Sequence, residues 1–142
     1  MRRKAFLIGG CYRNHDNLLP GVHANIAAWK QYLMSSYGGC WLENEIVDLS
    51  RQSKDDICSA LHVDQSIDYS LVCFSGHGWL AKDRFGFSVT MAMLDDNTEM
   101  SEKELNPGSP WTMMIFDCCR KGGDLEKVAL ANEALNKSAL CN

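Results

Sequence analysis

The sequence predicts an α/β fold with a mainly parallel sheet of about four strands and helices on both faces. Two observations predict it. Short, continuously apolar segments alternate with segments whose apolar residues recur every three or four positions, as in buried parallel strands joined by amphipathic helices. In addition, residues that can do chemistry directly follow two of the apolar segments. Sites in such folds lie just beyond the carboxyl ends of the strands.

Composition limits the class of protein further. The 142 residues suffice for one domain (1–142) with a single core, and 46% hydrophobic with 23% charged residues is ordinary for a globular chain. A net charge of −4 argues against general nucleic-acid binding. No apolar run is long enough to span a bilayer or to serve as a signal peptide. We therefore expect a cytoplasmic protein that binds neither nucleic acid nor membrane.

The first part of the chain is expected to form strand, helix and strand. Lys4–Gly10 is a continuous apolar run ending in two glycines, which is typical of a buried strand. From Gly21 to about Ser36 the apolar residues share one helical face, and Gly38-Gly39 should close that helix. Glu45–Leu49 is the second predicted strand.

The middle of the chain repeats this alternation. Ser53 is expected to cap a helix from Lys54 to about His62, and Tyr69–Phe74 is the third predicted strand. From Trp79 to Asp96 we expect a hairpin or an irregular excursion, followed by one helical turn at Ser101–Leu105.

The last part of the chain is expected to contain one strand and one helix. Trp111–Phe116 is the fourth predicted strand, and Leu125 to Leu140 is rich in Ala and Leu, which favours a final helix. We expect Trp111 and Met113 of this strand to pack in the core.

Two predicted strands end in chemically capable residues. SGHG (residues 75–78) follows the third strand, and DCCR (residues 117–120) follows the fourth. The glycines around His77 leave room for another chain to approach its imidazole. Nearby positive charge favours a thiolate at Cys119, and a His within reach can act as base or as acid toward a leaving amine. If the two strands are neighbours, both residues emerge on one edge of the sheet.

At these positions the chain resembles the caspase and metacaspase cysteine peptidases. FSGHG (Phe74–Gly78) and FDCCR (Phe116–Arg120) are similar to the His and Cys motifs of that family, and their separation of 42 residues is compatible with it. The resemblance implies a caspase-like three-layer sandwich, with Cys119 as nucleophile and His77 as general acid/base. Backbone N–H groups near Gly78 and Cys119 are expected to hold the oxyanion.

The resemblance also implies a substrate-binding pocket. Asp117 matches the acid that makes metacaspases prefer Arg or Lys at P1, the residue whose carbonyl is attacked, and Ser75 matches a second pocket position. Asn25 falls where many metacaspases place a further Asp. Two alternatives stay open. Arg13 and Arg120 allow a pocket for an acidic P1 residue, and Asp117 can instead be a helix N-cap or the partner of Arg120.

No cofactor is expected, with calcium as the alternative that the resemblance raises. Many metacaspases bind calcium through aspartates, and the candidates here are Asp83, Asp95 and Asp96, with Glu99 nearby. Their spacing does not match the acidic site of that family, so we prefer an exposed acidic turn. The seven cysteines include no Cys-x-x-Cys pair, so we assign no metal.

The resemblance covers only the p20 part of a caspase-like catalytic domain. The sequence continues for 23 residues after Cys119, so we expect a p20-type unit without the p10 strands. The expected function is a cysteine endopeptidase acting on protein or peptide substrates in regulated proteolysis, such as stress response, cell death or defence.

The alternative is a p20-only regulatory or interaction module that needs a partner to complete the protease. The fourth strand would be an apolar sheet edge, and such edges invite pairing. We therefore expect a homodimer, a partner chain that supplies p10-like strands, or cover by the Leu125–Leu140 helix.

Overall fold

The computed structural model describes residues 1–10, 19–62, 64 and 66–118. The helix expected at Leu125–Leu140 lies outside the described residues. In chain order the elements are β1 (Arg3–Gly10), α1 (Gly21–Met34), a 3-10 turn (Glu43–Glu45), β2 (Ile46–Asp48), α2 (Lys54–His62), β3 (Tyr69–Gly76), β4 (Gly78–Lys82), β5 (Ser88–Met93), β6 (Glu99–Ser101) and β7 (Trp111–Asp117).

A four-stranded parallel sheet forms the centre of the fold. Its order is β2-β1-β3-β7, and each of its three strand pairs is parallel. The prediction of an α/β fold with a mainly parallel sheet of about four strands is therefore confirmed. β1 and β3 occupy the middle and are buried along most of their length, which is why their sequences are continuously apolar rather than alternating.

Successive residues of the central strands serve opposite faces of the sheet. Leu7 belongs to the core cluster that contains Ile26 of α1. Its neighbour Ile8 belongs to the cluster that contains Ile57 of α2. One helix thus covers each face of the sheet, as the sequence predicts. Neither described helix is long and apolar enough to cross a membrane.

The start of α2 agrees with the predicted cap, whereas the end of α1 differs from its prediction. Ser53 caps α2 as expected, because its Oγ accepts a 3.2 Å hydrogen bond from the backbone N–H of Asp56. α1 ends at Met34 rather than near Ser36. The chain is already extended at Ser35, so the helix ends before the pair of glycines.

A second, antiparallel sheet of three strands, β4-β5-β6, follows β3 directly. The excursion predicted between Trp79 and Asp96 is therefore a regular hairpin. Ala92 and Met100 of this sheet are completely buried in the core cluster on the α2 side. The backbone N–H of Leu105 donates to the Ser101 carbonyl at 3.0 Å, which is the spacing of the single helical turn expected there.

The expectation that Trp111 and Met113 pack in the core is wrong. Their exposed fractions are 72% and 53%. Among the described strands β7 pairs with β3 alone, and α1 packs over β1 and β3. Met113 is in register with Leu71, on the α1 face of the sheet, but it lies beyond the part that the helix covers.

Candidate active site

The two strand ends singled out in the sequence are neighbours in the sheet. Ser75 near the end of β3 is in register with Asp117 at the end of β7. His77 and Cys119 each follow this pair by two residues. Cys119 lies outside the described residues, as do Arg13 and Arg120. The parallel pairing therefore brings Ser75 and Asp117, each two residues before a member of the predicted dyad, to the same carboxyl edge of the sheet.

Gly78 and Cys118 pack directly against each other. A Cβ atom built on Gly78 would lie 2.8 Å from Cys118 Sγ and 2.6 Å from the carbonyl oxygen of Met91. Both distances are too short for real atoms, so only glycine fits at this position. The residue after His77 thus contacts the residue before Cys119. Cys118 is half-buried against the core cluster on the α2 side, so it packs toward the core.

Close contacts hold the backbone around His77. Its carbonyl accepts a 3.0 Å hydrogen bond from the backbone N–H of Met93 in β5. On the other side of His77, a Cβ on Gly76 would lie 2.3 Å from the Gly10 carbonyl oxygen at the end of β1. The imidazole is half-buried. Packing of β1 and β5 therefore sets the position from which this side chain projects.

The three predicted substrate-binding residues form one hydrogen-bonded group, the polar cluster, which consists of Asn25, Ser75 and Asp117. Asn25 Nδ2 donates to Asp117 Oδ2 at 3.0 Å and to Ser75 Oγ at 3.1 Å. Ser75 Oγ in turn donates to Asp117 Oδ2 at 3.2 Å. Ser75 is buried and Asp117 is exposed. Three residues from α1, β3 and β7 thus present one carboxylate at the sheet edge.

This cluster carries a single negative charge, because Asn25 and Ser75 are neutral donors. The bond from Asn25 has an ordinary length of 3.0 Å and the bond from Ser75 is long at 3.2 Å; both converge on Oδ2 and thereby orient the Asp117 carboxylate. Of the alternatives considered for Asp117, a helix N-cap and an ion pair with Arg120 both involve residues outside the described part of the chain. The described contacts of its carboxylate are those to Asn25 and Ser75.

Two adjoining clefts open at this cluster. One, of about 410 Å³, is bounded by Leu19, Val22, Gly76 and Cys118 and reaches the polar cluster. The other, of about 490 Å³, shares Asn25 and Asp117 and continues along α1 to Trp29 and Tyr32. The volume of each cleft exceeds that of a single amino-acid side chain.

Trp29 and Tyr32 are not among the site residues that the sequence predicts, because an aromatic residue on an amphipathic helix more often packs in the core. Trp29 does pack there, but it also lines the cleft. Positions 25, 28, 29 and 32 lie on one helical face by the three-and-four spacing. That spacing from Asn25 is the sequence signal that could have identified both aromatic residues.

The other described cysteines differ sharply in their suitability as nucleophiles. Burial raises the pKa of the Cys73 thiol to about 12, and burial also raises the pKa of Cys58. Both thiols therefore stay protonated at neutral pH. Cys40 is exposed and lies after α1, away from the polar cluster.

The acidic residues considered for calcium do not converge. Asp83 Oδ2 accepts a 2.7 Å hydrogen bond from Lys103, and Asp96 Oδ1 accepts hydrogen bonds from both the backbone and the hydroxyl of Thr98. Within the described ranges no three His, Cys, Asp or Glu side chains are grouped so that they could hold a metal ion.

Comparison with known sequences gives no family assignment. No protein-family model matches the chain, and no curated protein sequence matches it. The two motifs and the geometry of the carboxyl edge of the sheet are therefore the features that bear on function.

Proposed function

We propose that the chain is a caspase- or metacaspase-like cysteine endopeptidase that uses Cys119 and His77. The observation that carries the proposal is the contact between Gly78 and Cys118, the chain neighbours of the two proposed catalytic residues. Such an approach at the carboxyl edge of a parallel sheet is the arrangement that a Cys-His dyad needs.

In the proposed reaction the Cys119 thiolate attacks the carbonyl carbon of the scissile peptide bond. The His77 imidazolium then protonates the leaving amine, and the C–N bond breaks to leave an acyl-enzyme. Water attacks the thioester while His77 accepts its proton, which releases the acid and regenerates the thiolate. Backbone N–H groups near Gly78 and Cys119 are proposed to stabilise the oxyanion.

The polar cluster supports a preference for Arg or Lys at P1. Asn25 and Ser75 both bond to Oδ2 of Asp117, so Oδ1 is the oxygen that a substrate cation would approach. An acidic P1 side chain would instead place a second negative charge beside Asp117, and like charges facing each other disfavour binding. The aromatic rings of Trp29 and Tyr32 in the adjoining cleft suit the flat face of a guanidinium.

The position of β7 favours a second candidate function, a module that becomes a protease only with a partner. Among the described strands β7 has β3 as its only neighbour, and its apolar residues Trp111 and Met113 are exposed. A partner that adds strands beside β7 would also lengthen the carboxyl edge of the sheet, where Asp117 lies.

Hydrolysis of fluorogenic peptides with Arg, Lys or Asp at P1 tests the proposal. The protein is compared with Cys119→Ala and with the matched control Cys40→Ser, which removes an exposed thiol outside the site. Each is assayed with and without calcium. We expect cleavage after Arg or Lys that Cys119→Ala abolishes and Cys40→Ser retains.

Two results would change the proposal. Cleavage only after Asp would keep the nucleophile but discard the role of Asp117 in specificity. No cleavage under any condition, with both variants folded, would contradict independent activity and favour the partner-dependent module.

A further inference from the structure

The turn between β4 and β5 carries a compact apolar feature that the proposed peptidase does not use. Phe85 and Phe87 in this hairpin tip (residues 82–88) are exposed at 68% and 70%. They lie two residues apart at the end of the antiparallel sheet. The tip is about 13 Å along β4 from Gly78, at an ordinary strand rise, so it stands away from the polar cluster.

The tip is tied together by Asp83. Its Oδ1 accepts hydrogen bonds of 2.9 Å from the backbone N–H groups of both Phe85 and Phe87. The Asp83 N–H donates to the Phe87 carbonyl, and its carbonyl accepts from Gly86, each at 2.9 Å. Gly86 has φ +83°, which favours glycine. These bonds fix the backbone of the turn before binding, so that only the side chains remain to be ordered on a partner surface.

The charge that the tip turns outward is positive. The only acid in residues 82–88 is Asp83, whose side chain is 6% exposed and pairs with Lys103 at 2.7 Å. Lys82 and Arg84 are exposed, and the Arg84 guanidinium lies 4.7 Å from the Phe85 ring centre. Two cations therefore flank the two phenylalanine rings.

We propose that this hairpin tip docks on an anionic lipid surface. The phenylalanine rings enter the boundary between headgroups and acyl chains, and Lys82 and Arg84 contact lipid phosphates. A convex tip binds either to a surface that deforms around it or to a pocket of matching shape. A lipid bilayer is a surface that deforms, so it accepts the tip without a matching pocket. This departs from the expectation of no membrane contact, which rested on the need for a long apolar run to span a bilayer.

The overall charge of −4 does not oppose such docking at physiological salt. Charges beyond a Debye length of about 8 Å are largely screened, so the cations at the tip dominate the interaction with the surface. The proposal stands independently of peptidase activity.

Vesicle co-sedimentation with the full chain tests the proposal. The probes are phosphatidylcholine vesicles with and without about 30% phosphatidylserine. We expect binding to the anionic vesicles that falls at least about tenfold in Phe85→Ser/Phe87→Ser, since two large apolar groups are lost. Arg84→Glu should weaken it by roughly fivefold or more.

The matched control is Tyr37→Ser/Leu42→Ser, which removes two exposed apolar side chains elsewhere, 90% and 63% exposed. It should bind like the unchanged protein, and circular dichroism checks that every variant is folded. An equal loss in the control, or equal binding to neutral vesicles, would overturn the proposal. Absence of binding to either vesicle would also overturn it and leave a protein surface as the occupant of the tip.

Discussion

Ser75 and Asp117 lie in register on neighbouring parallel strands, and Ser75 Oγ donates a 3.2 Å hydrogen bond to Asp117 Oδ2. They are 42 positions apart in the sequence, and the pairing of β3 with β7 brings them together. His77 and Cys119 follow the same two strands. The register of β3 with β7 therefore places the proposed specificity residue, Asp117, at the sheet edge from which the proposed catalytic residues follow.

The first prediction concerns the charge at Asp117. Asp117→Asn should lower kcat/KM for Arg and Lys peptides by about tenfold or more, because the negative charge that is proposed to pair with the substrate cation is lost. Steady-state hydrolysis measures the change. Asp55→Asn, which removes an exposed carboxylate on α2, should leave kcat/KM unchanged. An Asp117→Asn enzyme that cleaves Arg peptides at the original rate would contradict the specificity assignment.

The second prediction concerns the contact between Gly78 and Cys118. Gly78→Ala should destabilise the fold by about 1–3 kcal/mol, because the new Cβ overlaps Cys118 Sγ and the Met91 carbonyl. Urea denaturation gives the free energy of unfolding. Gly21→Ala is the control for stability, since a Cβ there meets nothing within 4 Å. Equal stability of the two variants would show that the strands tolerate the added methyl.

The third prediction concerns thiol reactivity. At about pH 8 a thiol with the pKa of Cys73 has only about one thiolate in ten thousand molecules, so Cys73 should resist N-ethylmaleimide until the protein unfolds. Cys40, which is exposed, should react readily. Peptide mass spectrometry of native and denatured samples reads both sites. Rapid native labelling of Cys73 would show that β3 opens far more often than its burial implies.

The fourth prediction concerns the ion pair of Glu104 with Lys54, whose nearest atoms are 2.6 Å apart. Burial alone would raise the pKa of Glu104, but hydrogen bonds from Lys54 and Ser101 together hold it below the usual 4.5. The unfolded chain therefore takes up the proton first on acidification. The stabilisation is present above about pH 4.5 and is lost as the pH falls through the folded pKa.

Glu104→Gln should accordingly lower the free energy of unfolding by about 1 kcal/mol at neutral pH, and the difference should shrink in acid. Denaturation at a series of pH values measures this dependence. Glu43→Gln breaks the more exposed pair with Lys30 and should change stability less, because exposed ion pairs contribute little. If the free energies of unfolding of Glu104→Gln and the unchanged protein differed by the same amount at every pH, ionisation of Glu104 would not contribute to stability as proposed.

The fifth prediction concerns the edge formed by β7. In a parallel strand alternate residues bond to one neighbour, so half of the β7 amides point away from β3. We expect these to exchange hydrogen at least roughly a hundredfold slower than unstructured amides, because an apolar edge is covered by a second copy, a partner or the segment predicted as the Leu125–Leu140 helix.

Hydrogen exchange measured at several protein concentrations distinguishes cover by a second copy from cover within one chain. Protection that grows with concentration indicates a second copy of the chain, and protection independent of concentration indicates cover within one chain. Unprotected outward amides in a monodisperse monomer would contradict the prediction.

Much of the fold follows from local sequence. β1 and β3 are apolar at successive positions because both of their faces are buried, and this pattern identifies them without any knowledge of their neighbours. Ser53 marks the start of α2 because its hydroxyl bonds within three residues. SGHG and DCCR could be assigned to strand ends for the same reason, since each directly follows an apolar run.

Sequence by itself therefore determined the kind of sheet, its helical cover and the residues that follow its strands. Only the tertiary structure decided that β7 lies beside β3, that Asn25 joins Ser75 and Asp117, and that Trp111 is exposed at an edge. The physical reason is that apolar patterning records how buried an element is expected to be. Which strands pair, and which side chains from distant elements then come within hydrogen-bonding distance, depends on the packing of the whole chain.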